Sequence, residues 1–345
     1  MAKDTFYNNY NAIDILKLVL AVFVMVIHSG INKTILSPLL RTAVPLFFII
    51  SSYFFFSKIG TLSSDKQKNA ALAKMVKRNL LLYLFWSVIQ FPLWFFMREY
   101  HQDGLLVGML NVFRDFLLGG GFTGAWYIVA LVIGSVLVYF ASKKISSGWL
   151  LLMVLPLYIV CCMLTNYYNL FDASSVLISI GNGYFALTGL CFYTSFPVAL
   201  FWVSLGGFLA EKKLVIKTRI LWIATVLFAG LLALERYNIV KGGFGITDDC
   251  YLLLVLLCPA IFLLVSKSKI TIKTRFPIRE MSVLIYVTHG CCGRVFGYLL
   301  KSLPIGTVVQ TIMKLLLSLI VSYVLFRVIR WLSDIKRVKL FSFAY

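Results

Sequence analysis

Ten apolar runs divide the chain, and we interpret each of them as a membrane-crossing helix. Crossing about 30 Å of hydrocarbon takes roughly 20 mostly apolar residues in a helix. With 61% hydrophobic and 13% charged residues, this 345-residue chain is also too apolar for an ordinary soluble domain. The sequence therefore predicts an all-α, polytopic membrane protein. The runs are residues 13–30, 42–59, 79–97, 122–141, 149–165, 192–210, 220–234, 251–266, 281–300 and 309–332.

The basic residues predict how these helices are oriented. Lys and Arg accumulate on the cytoplasmic loops of multi-pass proteins. With the amino terminus inside, the inner segments hold 23 of the 33 basic residues and the outer segments hold 8. This asymmetry predicts ten helices with both termini cytoplasmic. The net charge of +20 is spread over many loops that face anionic lipid, so we expect no nucleic-acid partner.

The chain reads as one domain over residues 1–345. It shows no internal repeat or low-complexity tract, and its longest polar inner stretch, residues 59–78, is too short to form a domain. The first apolar run is long, contains His28 and lacks a small-residue cleavage site after it. We therefore expect the first helix to stay in the mature protein.

Two ionisable residues, Lys17 and His28, share one face of the first predicted helix. Their eleven-residue separation corresponds to about three turns and to about 16 Å along the helix axis. An ionisable group in hydrocarbon is costly unless it is paired or reaches an aqueous cavity, so it marks a candidate functional site. The pair predicts a cavity that runs part-way through the membrane, with Lys17 toward the inside and His28 toward the outside.

The sequence resembles the membrane acyltransferase-3 family from about Ala12 to the last helix. That family has a basic residue eleven positions before a histidine, and it usually has glycine where this chain has Ser52. Many of its members have arginine at the position of Lys17. The motifs that carry the resemblance are Lys17-X10-His28, Arg41-X2-Val44-Pro45-X-Phe47-Phe48-X2-Ser51-Ser52-Tyr53, Trp126-Tyr127-X2-Ala130-Leu131 and Tyr286-X2-His289.

The resemblance implies a bacterial-type inner-membrane O-acyltransferase. Such an enzyme would move an acyl group, expected to be acetyl, from cytoplasmic acyl-CoA to a hydroxyl of an extracytoplasmic or lipid-linked surface carbohydrate. Acyl-CoA would be a donor substrate, and no permanently bound cofactor is implied. The expected catalytic residues are His28 and Lys17, and the expected substrate-binding residues are Arg41, Ser51, Trp126, Tyr127, Tyr286 and His289.

For His28, two chemical roles remain open beside a purely structural one. Its imidazole could take a proton from the acceptor hydroxyl and return it, or it could carry the acyl group as a transient acyl-imidazole. A histidine could also only hydrogen-bond a neighbouring helix. His289 has the same structural alternative. Lys17 could orient the acyl-CoA thioester, or it could pair with Asp14 one turn earlier, and these two roles are compatible.

The remaining candidates also have structural alternatives. The guanidinium of Arg41 suits phosphate or carboxylate, but an arginine is also an ordinary anchor at the outer interface. Ser51 could bond across helices instead of contacting substrate. Trp126 and Tyr127 could form an interfacial belt or a stacking wall for a sugar or acyl chain.

The seven cysteines predict no metal site. Most lie in apolar runs, where cysteine usually behaves as a small hydrophobe, and no C-x-x-C or His-rich spacing occurs. Cys191 and Cys250 fall near predicted outer helix ends, which leaves a disulfide between them open.

Two functions of other classes remain as alternatives. Intramembrane Lys and His residues also form proton relays, so a proton-coupled transporter or exporter of a small polar or lipid-linked molecule is the second hypothesis. Transporters often contain paired repeats, and we find no such symmetry here. A catalytically silent sensor or assembly partner is the third hypothesis.

Overall fold

The computed structural model describes residues 8–29, 37–97, 100–102 and 104–336, and these ranges form a helical protein with one small strand pair. Met1, Gly30 and Tyr345, on which parts of the predicted topology rest, lie outside the described residues. The helices are α1 (Ala12–Ile27), α2 (Ser37–Leu40), α3 (Ala43–Gly60), α4 (Asp65–Met97), α5 (Leu105–Leu118), α6 (Trp126–Ala141), α7 (Ser147–Met163), α8 (Val176–Thr188), α9 (Phe196–Lys212), α10 (Thr218–Gly242), α11 (Leu254–Ser266), α12 (Ile278–Leu300) and α13 (Thr307–Lys336). Strands β1 (Asn8–Asn11) and β2 (Thr271–Thr274) pair antiparallel.

Each of the ten predicted runs coincides with a helix: α1, α3, α4, α6, α7 and α9 to α13. Within the described ranges, five helical segments are long and apolar enough to cross a membrane: residues 37–60, α4, α10, α12 and α13. The prediction of an all-α membrane protein is therefore confirmed. The number of crossings and the sides on which the two ends lie stay predictions.

Helix boundaries differ from the prediction where polar residues are good helix formers. The third predicted run begins at Asn79, but the helix begins earlier, because from Asp65 onward the polar inner stretch is the first part of the 33-residue helix α4. Ala, Lys, Gln and Met dominate this segment, and all of them favour helix regardless of polarity. Similarly, α10 continues eight residues beyond the predicted end at Leu234.

Besides the four-residue α2, two helices, α5 and α8, were not predicted. They have 14 and 13 residues, which is too short to cross a membrane alone. Many of their apolar side chains are exposed, including Leu105 at 84% and Leu187 at 77%. A length threshold applied to the sequence excludes such helices, although their composition is as apolar as that of the longer ones.

Helices α3 and α9 are packed closely at the point where the chain departs from the glycine pattern of the family that it resembles. Ser52 is fully buried, and its hydroxyl donates to the carbonyl oxygen of Phe48 at 2.7 Å on its own helix. The facing residue on α9 is Gly206, and a Cβ there would lie 2.0 Å from the Ser52 hydroxyl oxygen. The small residue that permits close helix approach is therefore supplied by α9 instead of α3.

The start of α1 is fixed by local and distant contacts. The Asn11 side chain accepts from the Asp14 backbone at 3.0 Å, and the Asp14 side chain accepts from the Asn11 backbone at 3.2 Å, which is a capping box. The same Asp14 carboxylate accepts from Arg279 of α12 at 2.9 and 2.8 Å. This end of α1 is therefore tied to α12, the helix that carries His289.

All seven cysteines are free. Cys191 is half-buried and Cys250 is buried, so the disulfide left open by the sequence is not formed in this structure.

Candidate functional site

A cavity of about 430 Å³ opens between α1, α3, α4, α6 and α12, and we call it the inner cavity because the predicted topology places Lys17 and Lys58 toward the inside. Four of its lining residues are basic: Lys17, Lys58, Lys74 and Arg78. Its lining also includes Phe47, Ser51, Tyr127 and Tyr286. Phe47 precedes Lys58 by eleven residues on α3, which corresponds to about 16 Å along the helix. The cavity therefore has a basic mouth, at Lys58, and an aromatic inner end, deeper in the protein at Phe47.

The basic mouth lacks internal counter-charges. Lys58, Lys74 and Arg78 are exposed and Lys17 is half-buried. No ion pair joins any of the four to a carboxylate of the described residues. Asp14, which the sequence offered as a partner for Lys17, is bound by Arg279 instead. These cations are therefore available to an anionic ligand.

Two further cavities, of about 340 and 120 Å³, lie on the other side of Tyr127 and Tyr286, and we call them the outer cavities. Both are lined by His28, Gly124, Trp126 and Thr194. The larger cavity also has Gln90, Trp94, Thr123 and Arg294 in its wall. The smaller also has Arg41, Tyr158, Tyr193, Trp202, Asp249 and Tyr286. His28 caps the carboxyl end of α1 and is exposed to this space.

His28 and His289 form a pair, as the resemblance implied that both belong to one site. Their ring centroids are 4.9 Å apart, and His289 is buried at 2% exposure beneath the exposed His28. The Nδ1 atom of His289 faces the carbonyl oxygen of Tyr286. Because a carbonyl only accepts, this nitrogen carries the proton, which leaves a lone pair on Nε2 in the neutral ring. That Nε2 is buried and has no hydrogen-bond partner within the described part of the chain.

Arg41 lines the smaller outer cavity, but its carboxylate partner is part of the protein. Its Nη1 donates to Asp249 at 2.5 Å. The neighbouring Asp248 accepts from Ser37 and Tyr251 and lies 3.6 Å from Arg236 Nε. These contacts tie α2 and the segment before α3 to the loop between α10 and α11. Arg41 thus holds the wall of the cavity together.

The aromatic candidates lie between the two sides. Tyr127 is 8% exposed, so it is not part of an interfacial belt, and its hydroxyl lies 3.2 Å from Ser51 Oγ across α3 and α6. The cross-helix bond predicted as one alternative for Ser51 is therefore present. Tyr286 packs edge-on against Tyr127 at 5.5 Å, and its hydroxyl donates to the Gly124 carbonyl. Trp126 is half-buried and faces both outer cavities.

Seven of the eight predicted residues line these cavities, and His289 is buried against His28 and Tyr286, but Lys17 and His28 do not share a cavity. The sequence had implied one continuous cavity for the pair. Instead, Lys17 and Ser51 face the inner cavity, whereas His28, Arg41 and Trp126 face the outer ones. The residues between the two spaces are aromatic.

Several residues of the site were missed from the sequence. Lys58, Lys74 and Arg78 were counted only as charges that set topology, and nothing in their spacing points to a common cavity. Asp248 and Asp249 did leave a signal. They are adjacent carboxylates in a predicted outer segment of a chain with only 13 acidic residues, so each was a candidate partner for an outer arginine.

Helices long enough to cross a membrane, with one histidine facing internal cavities and a second histidine packed against it, define a multi-pass membrane protein with an internal site. The chain belongs to the membrane acyltransferase-3 family, because the family model, described as an acyltransferase domain, matches residues 10–327. The protein is thus a membrane acyltransferase by family, as the sequence motifs had predicted.

Two curated relatives are similar to the chain, and both are described as amino-acid racemases of Enterococcus faecalis. One is 26% identical over 264 residues, which cover 72% of this chain and 34% of the relative. The other is 23% identical over 331 residues, which cover 91% of this chain and 45% of the relative. The chain therefore spans less than half the length of these relatives. No solved structure matches it.

Proposed function

We propose that this protein transfers an acyl group, expected to be acetyl, from cytoplasmic acyl-CoA to a hydroxyl of an extracytoplasmic or lipid-linked surface carbohydrate. The observation that carries the proposal is the combination of two features: an inner cavity whose cations form no ion pair with the described carboxylates, and His28, backed by His289, facing the opposite cavities. A donor and an acceptor from opposite sides of a membrane require this separation. The family supports the reaction type, and the two sets of cavities support the two substrates.

The donor side suits acyl-CoA. This molecule has phosphate groups at its nucleotide end and a long, slender arm that ends in the thioester. Lysine and arginine bind phosphate oxygens through charge-assisted hydrogen bonds. Lys58, Lys74 and Arg78 at the mouth would hold the phosphates, and Lys17 further in would orient the arm or the thioester. The aromatic inner end at Phe47 and Tyr127 would enclose the acyl group.

The chemical step is assigned to His28, by either of two balanced routes. As a general base, His28 takes the proton of the acceptor hydroxyl while the hydroxyl oxygen attacks the thioester carbonyl. The carbon–sulfur bond then breaks, and CoA leaves as the thiol after it receives that proton from His28. As an acyl carrier, a ring nitrogen of His28 attacks the thioester carbonyl, the carbon–sulfur bond breaks, and CoA leaves as the thiol with the proton that the ring gives up. The acceptor hydroxyl then attacks the acyl-imidazole, the carbon–nitrogen bond breaks, and the hydroxyl proton passes to the imidazole. In both routes Lys17 stays on the donor side.

The acceptor side suits a carbohydrate. The larger outer cavity combines the indole rings of Trp94 and Trp126 with the polar side chains of Gln90, Thr123 and Arg294. Aromatic faces and a few hydrogen-bonding groups are the usual composition of such small-molecule sites. The excess of basic residues in the predicted inner loops supports a plasma-membrane protein of bacterial type whose basic cavity faces the cytoplasm.

The racemase description of the two relatives concerns whole proteins of which the matched segment is 34% and 45%. The proposal therefore rests on the family and the cavities. The second candidate function is a proton-coupled transporter or exporter of a small polar or lipid-linked molecule. The observation that favours it is the pair of cavities on opposite sides of a thin aromatic layer, which is also the arrangement that alternating access requires.

The test uses membranes that contain the protein, supplied with acetyl-CoA labelled in the acetyl group. We expect label to appear in surface glycan, and to be absent in membranes with an equal amount of His28→Ala protein. Transport is measured in the same vesicles with a labelled glycan precursor. Movement of precursor across the membrane without acetyl transfer would contradict the proposal and support the transporter.

A further inference from the structure

One side chain, Tyr286, forms part of the wall of both the inner cavity and the smaller outer cavity. Among the residues that the structure describes, no other lining residue is common to these two cavities, and the larger outer cavity shares none with the inner one. Lys17 and Ser51 lie on the inner side of Tyr286, and His28 lies on its outer side. The Tyr286 side chain therefore stands between the donor side and the histidine.

The ring of Tyr286 is held in this position by contacts on several sides. It packs against Tyr127 and Phe47 with ring centroids 5.5 and 6.0 Å away, and it is 8% exposed. Its hydroxyl donates a hydrogen bond to the carbonyl oxygen of Gly124. His289 lies behind it at a centroid distance of 5.8 Å.

Gly124 permits this closed arrangement. Its backbone has a φ of +86°, a conformation that L side chains rarely adopt. A Cβ at this position would lie 3.1 Å from His289 Cε1 and 3.4 Å from the Tyr286 hydroxyl oxygen. A side chain here would press against both residues, so the glycine lets its carbonyl meet the tyrosine directly.

The closed arrangement separates the two groups that the proposed reaction must bring together. An acyl group bound beside Ser51 and Tyr127 has the Tyr286 ring between itself and His28. Besides its packing, one hydrogen bond holds that ring, and aromatic side chains in helices adopt either of two χ1 rotamers. A change of the Tyr286 rotamer would therefore break the contact with Gly124 and join the two cavities.

We propose that Tyr286 is a positioning residue that separates the donor side from the acceptor side, and that its displacement from the Gly124 carbonyl admits the acyl group to His28. While it is closed, it keeps water of the outer cavities away from the thioester, which limits hydrolysis of the donor. The statement about the acyl group rests on the proposed function, whereas the separation of the cavities does not.

The separation is tested with a thiol introduced inside the inner cavity. Cys191 and Cys291, the two half-buried cysteines, are first changed to serine, and Ser51→Cys is then introduced. Sealed right-side-out and inverted vesicles are treated with sulfonatoethyl methanethiosulfonate, a small anionic reagent that does not cross a bilayer. We expect the introduced thiol to react only from the face that carries Lys58.

Replacing the tyrosine should abolish this one-sidedness. With Tyr286→Ala, we expect reaction from both faces. With Tyr286→Phe, which keeps the ring, reaction from the second face should rise by about two- to tenfold, the effect of losing one hydrogen bond. The control is Tyr193→Ala, which enlarges the smaller outer cavity alone and should leave the reaction one-sided. If Tyr286→Ala does not fold, as judged by thermal unfolding, Tyr286→Phe decides the result.

A second measurement addresses the acyl group. Tyr286→Ala should raise the ratio of acetyl-CoA hydrolysis to acetyl transfer, which a merely structural role would not do. Reaction of the introduced thiol from both faces with Tyr286 in place, or one-sided reaction in both Tyr286 variants, would overturn the barrier. If sidedness changes as expected but no protein hydrolyses or transfers acetyl groups, the barrier stands and the proposed function fails.

Discussion

The cations on the two sides of Tyr286 differ in how they are neutralised. On the outer side, Arg41 is bound to Asp249, and Arg236 lies beside Asp248. In the inner cavity, Lys17, Lys58, Lys74 and Arg78 form no such pair with the described carboxylates. The outer pairs join separate segments and stabilise the fold, whereas the inner cations can bind an anionic ligand.

Solvation explains why both arrangements are tolerated. A partly buried arginine with no partner would lose hydration without compensation, so Arg41, with 16% side-chain exposure, requires its carboxylate. Exposed cations at a cavity mouth keep their water, and pairing them would add little stability. The absence of carboxylates there costs the fold little and leaves the mouth attractive to phosphate groups.

The largest expected effect concerns the histidine on the outer side. His28→Ala should lower acetyl transfer about 10²- to 10⁴-fold, because proton transfer or acyl carriage acts at the chemical step. Acetyl-CoA binding should persist, since the basic residues of the donor cavity are unchanged. Incorporation of label into glycan is measured together with membrane abundance.

His289→Ala is the matched variant, and its effect should be smaller if this buried ring only supports His28. Abundant His28→Ala protein with nearly normal transfer would contradict the assignment and favour the transporter.

A packing change should damage both regions together, because α3 contributes residues to the inner cavity and to the smaller outer one. Gly206→Ala would place a Cβ 2.0 Å from Ser52 Oγ and 2.8 Å from the Ile49 carbonyl oxygen. Overpacking of this kind costs about 1–3 kcal/mol of unfolding free energy. The thermal midpoint in detergent should therefore fall, with equal losses of donor binding and transfer.

Gly230→Ala is the control for this prediction, because a Cβ there meets nothing within 4 Å. The combination of Ser52→Gly with Gly206→Ala should recover part of the loss, since one of the two contacts is then removed. Equal midpoints for the Gly206 and Gly230 variants would show that the α3–α9 contact is not limiting.

Breaking one outer pair should destabilise the protein and spare donor binding. Asp249→Asn removes the ionised partner of Arg41, and we expect a loss of about 1–2 kcal/mol, at the lower end for charged hydrogen bonds because both groups are partly exposed. Arg41→Gln with Asp249→Asn should cost less than the sum of the single changes, as measured by a double-mutant cycle.

Lys301→Gln, at an exposed residue just after α12, is expected to change neither the free energy of unfolding nor the binding of acetyl-CoA. Additive effects in the cycle would mean that Arg41 and Asp249 act independently. Weaker acetyl-CoA binding in Asp249→Asn would contradict the expectation that the outer pair contributes to stability and not to donor binding.

The smallest effects are expected from the exposed inner cations taken singly. Lys58→Ala, Lys74→Ala and Arg78→Ala should each weaken acetyl-CoA binding about two- to fivefold, the range for exposed charge pairs, and less at high salt. Lys17→Ala should weaken it more than Lys17→Arg. Equilibrium binding of acetyl-CoA at two salt concentrations measures these effects.

Lys143→Ala is the control, because Lys143 pairs with Asp65 and does not line the cavity. If Lys17→Ala and Lys17→Arg bind acetyl-CoA equally well, Lys17 has a merely structural role.

Much of the fold was predictable because apolar composition acts locally. Each of the ten apolar runs became a helix, although polar helix formers extended α4 and shortness concealed α5 and α8. Pro197 and Gly206 interrupt the sixth run in the sequence, yet Pro197 sits in the first turn of α9, where proline is tolerated, and Gly206 serves packing. The departure at Ser52 was visible in the sequence, but its compensation on α9 was not.

The candidate site was predicted as a set of residues but not as a geometry. The spacing of Lys17 and His28 placed them on one face of a helix, toward its opposite ends. Tyr286 and His289, three residues apart, formed a second motif. Neither pattern indicates that Tyr286 closes the path between Lys17 and His28. Such a relation depends on how α1, α6 and α12 approach one another.

By itself, the sequence determined that this chain is a helical membrane protein of the acyltransferase-3 family, and it predicted eight candidate residues for its site. Those properties follow from composition, from helical periodicity and from short motifs. The tertiary structure decided which charges are neutralised and where the passage is closed. Arg41 meets Asp249 across 208 positions, and Tyr286 meets Gly124 across 162. Contacts between residues so far apart are set by helix packing, and no local pattern in one sequence encodes them.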